Sequence, residues 1–107
     1  QFIQADAASR RGLIQALGDR NMINRKEHPI GWSFFLDELE DAHEHLGALI
    51  KELSESSDYT EAELRVGLGH VYAHLNRAWF RRNVPEDMSD AQWDTASQSS
   101  GDLEPVA

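Results

Sequence analysis

The sequence contains no cysteine among its 107 residues, which excludes disulfides, thiolate chemistry and cysteine-ligated zinc. It also lacks any apolar run that approaches the length of a membrane-spanning helix. Residues 1–30 have no apolar centre of the kind that a signal peptide contains. We therefore expect a cytoplasmic protein with no membrane partner.

Basic residues are scarce. Ten lysines and arginines stand against nineteen aspartates and glutamates, which gives a formal net charge of −9. Contacts from Lys and Arg to phosphates supply most of the affinity of proteins for nucleic acid. The sequence has no long basic stripe, so we expect no nucleic-acid partner.

Two amphipathic helices between residues 33 and 83 dominate what is present. Their apolar residues recur at steps of three and four, which is typical of a helix that packs on another helix. A polar turn over residues 54–59 joins them, so the pattern predicts an antiparallel helical hairpin and an all-α fold. The predicted seam consists of Phe35, Leu39, Ala42, Leu46, Leu49 and Leu53 in the first helix and Leu64, Leu68, Val71, Leu75 and Ala78 in the second.

Local signals mark where the helices begin. Thr60 and Glu63 have the spacing of a capping box, which predicts the start of the second hairpin helix. Ser33 is a candidate N-cap for the first. A short C-terminal helix is expected over residues 88–93, where Ser89 precedes another capping-box spacing.

The remaining segments complete the predicted domain. Residues 1–17 have helix-forming composition, and we expect an N-terminal helix there. Residues 95–107 are small, polar and acidic, which is typical of an irregular, flexible tail. We thus predict one helical domain over residues 1–94.

One side of the predicted hairpin carries most of the histidines. His70 and His74 are four residues apart on one helical face, and the short turn places His45 and Asp41 opposite them. Three imidazoles and a carboxylate suit Zn, Ni or Fe, so Asp41, His45, His70 and His74 form a candidate metal site. The H-x-x-x-H spacing is similar to that of helical-bundle metalloproteins of the DinB type, but the similarity covers two residues and assigns no family.

The same residues have a simpler interpretation. An acidic helix that faces a helix with histidines and arginines forms partly exposed ion pairs, such as Asp41 with His74 and Glu38 with Arg77.

The acids Glu38, Asp41 and Glu44 of the first helix are similar to the acidic helices of all-α nucleotide pyrophosphohydrolases. Those enzymes hold magnesium with carboxylates from two helices, whereas the second helix here offers only two glutamates in its first turn.

Packing signals outweigh catalytic ones in this sequence. The predicted helices have more apolar surface than one short helix can cover, and Gly67 and Gly69 favour the close approach of another helix. We therefore expect a non-enzymatic interaction or assembly protein that forms a homodimer and can bind a protein partner. The alternative is a metal-binding or metal-dependent protein that uses the histidine side of the hairpin.

Overall fold

The computed structural model describes residues 11–12, 22–98, 101–103 and 105–106. These residues form three helices of four or more residues, α1 (Pro29–Glu55), α2 (Glu61–Arg81) and α3 (Asp90–Ala96), and no strand. The all-α prediction is confirmed. The helix expected over residues 1–17 lies outside the described residues except for Arg11 and Gly12, which are helical and exposed. None of the described helices combines the length and apolar character that crossing a membrane would require.

α1 begins at Pro29, earlier than the predicted cap at Ser33. Proline fits the first helical turn because its missing N–H would have had no helical partner there. The preceding turn is held by Asn24, whose Oδ1 accepts from the backbone N–H of Glu27 at 2.7 Å and whose carbonyl accepts from that of His28 at 2.9 Å. Pro29 therefore starts the helix.

The other two helices begin where their caps predict. Thr60 Oγ1 accepts from the backbone N–H of Glu63 at 3.1 Å, and the Glu63 carboxylate accepts from that of Thr60 at 3.1 Å. Ser89 and Gln92 make the same reciprocal pair before α3. Both capping boxes are confirmed. α3 continues to Ala96, which is buried, so the predicted domain boundary after residue 94 falls inside this helix.

Contacts that start near the beginning of α1 reach the end of α2: Glu38 bonds Arg81, and His45, further along α1, bonds His70, nearer the start of α2. Small and medium side chains line the contact, among them Ala42, Leu49, Val71 and Ala78, each less than 8% exposed. Gly67 lies here too, and a Cβ on it would approach Leu49 Cδ1 to 3.0 Å. Gly67 thus permits close approach of α1.

The line of contact is rotated towards the histidine side of each helix. Five residues of the predicted seam are instead 38–48% exposed: Leu39, Leu46, Leu53, Leu68 and Leu75. Glu38 and His74 are buried in their place, at 7% and 8% exposure. Apolar periodicity located the correct half of each helix, but a buried polar network determines which residues meet.

Backbone hydrogen bonds tie the open end of the helix pair. The N–H of Ile23 donates to the carbonyl of Arg82 at 2.8 Å, and the N–H of Gly31 donates to the carbonyl of Pro85 at 3.0 Å. Ile23 is buried beside this contact. The chain is therefore fixed to the end of α2 just before and just after it enters α1.

Candidate metal site

A buried carboxylate connects α1 to α2 at the base of the site. Glu38 Oε1 lies 2.8 Å from Nδ1 of His74, and Glu38 Oε2 accepts from Nε of Arg77 at 3.0 Å and from Nε of Arg81 at 3.3 Å. All four side chains are at most 10% exposed. Because a carboxylate has several lone-pair positions, one glutamate satisfies all three partners. The predicted Glu38–Arg77 pair is present, but it is buried instead of partly exposed.

The contact with Glu38 determines which nitrogen of His74 is available. A carboxylate only accepts, so the 2.8 Å contact requires the proton of His74 to be on Nδ1. Nη2 of Arg77 lies 3.1 Å from the same atom, but the shorter contact with the carboxylate governs the assignment. In the neutral ring, Nε2 then carries no proton and has a free lone pair. It is buried and has no hydrogen-bond partner among the described residues.

His45 of α1 and His70 of α2 stand above His74 on the more exposed side. Their Nε2 atoms are 3.1 Å apart, so one ring donates to the other. The His45 ring stacks on that of His74 with centroids 5.2 Å apart, and His70 meets both rings edge-on. The predicted proximity of His45 and His70 is thus present in the structure.

The three histidines bring their ring nitrogens close enough to share an ion. One ligand atom from each of His45, His70 and His74 lies within 4.8 Å of the other two. Two nitrogens on a tetrahedral zinc are about 3.3 Å apart, given Zn–N distances of about 2.0–2.1 Å. The 3.1 Å separation of His45 and His70 already matches this value. His74, which Glu38 holds in place, would be the least mobile of the three possible ligands.

Asp41 is exposed, and within the described part of the chain it makes no hydrogen bond or ion pair with His74. Glu38, one turn earlier on α1, is the partner of His74 instead. Asp41 acts on the cluster through its charge, which favours the protonated form of His70.

The electrostatic surroundings favour a neutral His70. Partial desolvation lowers the pKa of His70, and the nearby His45, His74 and Arg77 lower it further. The charge of Asp41 opposes this shift but does not cancel it. A neutral imidazole is the form that binds metal ions, so the surroundings of His70 favour metal binding near neutral pH.

Arg77 links the cluster to the third helix. Its guanidinium donates to Ser97 Oγ at 2.9 Å and lies over the ring of Trp93 at 4.5 Å from the centroid. Arg77 is 5% exposed. α3 therefore covers the arginine that, together with Arg81, positions Glu38. The sequence carried little sign of this arrangement, because charged residues are seldom buried and their pattern resembles a solvated face.

Comparison with known proteins finds no matching family model, no matching curated protein and no matching solved structure.

Proposed function

We propose that this protein binds a divalent transition metal through His45, His70 and His74. The observation that carries the proposal is the unpartnered, buried Nε2 of His74, since a buried polar atom without a partner is costly unless a ligand satisfies it. Glu38 holds the opposite side of the same ring. This is the arrangement in which a carboxylate orients a metal-binding histidine and makes it a stronger ligand.

The ligand set favours zinc, nickel or ferrous iron. Imidazoles suit all three metals, and the absence of thiolates argues against a closed structural zinc site. Three protein ligands leave at least one coordination position for water or a small molecule. In this proposal Asp41 is an outer residue that contributes negative charge, or a fourth ligand if its side chain turns towards His70.

The proposal requires the antiparallel hairpin, because its ligands come from both helices. The wider architecture expected from the sequence, with an N-terminal helix before it and a loose acidic tail after it, is part of the same proposal. So is a cytoplasmic location.

Thermal unfolding with and without metal tests the proposal directly. The protein, prepared without a histidine tag and treated with a chelator, is titrated with zinc, nickel and ferrous iron. Metal that binds only the folded state raises stability by about 2.7 kcal/mol when its concentration is a hundred times Kd. We expect a rise in Tm with at least one of these metals.

Single substitutions identify the ligands. His70→Ala should abolish the rise in Tm at little cost to the metal-free protein, because His70 is exposed. His74→Ala should also abolish it but should lower the stability of the metal-free protein, because His74 is buried. His43→Ala is the matched control, since His43 is an exposed histidine of α1 outside the cluster. A wild-type Tm that stays constant at saturating metal would leave the histidines as a hydrogen-bonded surface without a metal.

A further inference from the structure

A cavity of about 350 Å³ lies where the end of α2 meets α3 and the segment that follows it. Asn76, Trp79 and Phe80 line it from α2, since residues three and four apart share one face of a helix. Thr95 and Ala96 line it from the end of α3. Cavities that bind small molecules occupy about 300–1,000 Å³, so this one has room for a compact ligand.

Asn76 is the buried polar side chain of this lining. It is 3% exposed, and its Nδ2 has no hydrogen-bond partner among the described residues. The described part of the chain has one other buried side-chain atom of this kind, Nε2 of His74, which belongs to the candidate metal site. A buried amide without a partner is costly, so Asn76 calls for a bound ligand or an ordered water beside it.

The charged groups around the cavity are already paired with each other. Nη2 of Arg82 lies 3.4 Å from Oδ2 of Asp102, and Nε1 of Trp79 donates to Oδ1 of the same carboxylate at 2.9 Å. The guanidinium of Arg82 also lies over the Trp79 ring, 3.9 Å from its centroid. The positive and negative charges therefore offset each other, and the surroundings favour a neutral ligand over an ion.

We propose that this cavity binds a small neutral molecule in which an apolar ring carries an amide group. The ring packs against the aromatic side chains of Trp79 and Phe80, and the amide forms a hydrogen bond with Asn76. Two amides are complementary because each has both a donor and an acceptor. A ligand without a polar group leaves Asn76 unpaired, so this residue selects for the amide. The histidines of the candidate metal site are not part of the lining.

Titration of the ¹⁵N-labelled full-length chain with benzamide, followed by nuclear magnetic resonance in the presence of a chelator, tests this inference. We expect saturable shifts of the Trp79 indole N–H and of the Asn76 side-chain amide. The indole signals of Trp32 and Trp93, which lie outside the lining, should shift much less. Toluene and benzoate are the matched probes, because toluene lacks the amide and benzoate replaces it with a charge. Each should bind about tenfold more weakly than benzamide.

Asn76→Ala should weaken benzamide binding about tenfold and leave toluene binding at least as tight as in the wild type. Asn83→Ala is the matched control, because Asn83 also lines the cavity but is exposed to water, and it should change the affinity less than about twofold.

Three results with the wild type would overturn the proposal, whether or not Asn76→Ala folds. They are the absence of saturable shifts at Trp79 with benzamide, equal affinities for benzamide and toluene, and tighter binding of benzoate. The first two would leave an ordered water as the partner of Asn76, and the third would make Arg82 the anchor of an anion. None of these results depends on metal binding.

Discussion

The carboxylate of Glu38 lies 2.8 Å from Nδ1 of His74, although 36 residues separate them along the chain. This contact fixes the tautomer of the histidine and joins the two long helices. Arg77 and Arg81 complete the surroundings of the same carboxylate. One side chain therefore supports both the stability of the helix pair and the chemistry of the candidate site.

We expect Glu38→Gln to destabilise the protein by about 3–5 kcal/mol, the cost of leaving a buried charge without its partner. The amide has the same shape but cannot neutralise Arg77 and Arg81. Urea unfolding followed by circular dichroism measures the change. Glu61→Gln is the control, because the Glu61–Arg65 pair is at least 80% exposed and should contribute no more than about 0.5 kcal/mol. Equal effects of the two substitutions would contradict a buried network around Glu38.

The metal-free protein should lose stability as the pH falls below the ordinary histidine pKa of 6.5. The folded state lowers the pKa of His70, so in this window the unfolded chain binds a proton more readily than the folded protein does. Protonation therefore favours unfolding between pH 6.5 and the lowered pKa. Urea unfolding at a series of pH values, in the presence of a chelator, measures the slope. His70→Gln should have a shallower slope than the wild type, and an unchanged slope would argue against a lowered pKa for His70.

Gly31→Ala should destabilise the protein by about 1–3 kcal/mol, as overpacking does in a tight contact. A Cβ at this position would lie 2.7 Å from the carbonyl carbon and oxygen of Pro85 and would also clash with the carbonyl of Val84. These are backbone atoms that cannot rotate away. Gly47→Ala is the matched control, since Gly47 lies in α1 with nothing within 4 Å of an added Cβ. It should stabilise by about 0.5–1 kcal/mol through better helix propensity. Thermal melts of both variants measure these changes in stability. If Gly31→Ala melted like the wild type, the contact between Gly31 and Pro85 would have room for a Cβ.

The sequence predicted the starts of α2 and α3 well because the signals that mark them are local. The capping boxes at Thr60 and Ser89 depend only on residues three positions apart, and both are present in the structure. The start of α1 was harder to predict from the sequence. Pro29 is compatible with a loop or with a first helical turn, and the tertiary contact of Gly31 with Pro85 favours the helix.

The candidate site was partly predictable for a related reason. A short turn fixes the register of a hairpin, so the proximity of His45 and His70 follows from counting residues. The partner of His74 depends instead on the rotation of each helix about its axis. Apolar periodicity predicted a seam through Leu39 and Leu75, whereas the structure turns Glu38 and His74 inward. A network of buried charges sets this rotation, and a pattern of hydrophobic residues contains no information about it.

The backbone hydrogen bonds from Ile23 to Arg82 and from Gly31 to Pro85 have a consequence for motion. The helix pair is closed by the chain itself at the turn and by these bonds at the other end. If one helix slid along the other by a full turn, both bonds would break. The positions of His45, His70 and His74 along the helix axes are therefore fixed relative to one another. The freedom that remains to the histidines is rotation of their side chains. Of the four residues that make these two bonds, Gly31 is the one at which the contact itself excludes a side chain, because an added Cβ would meet the carbonyls of Val84 and Pro85. The bonds themselves use main-chain atoms. Substitutions of exposed side chains around this end should therefore leave the alignment of the histidines unchanged.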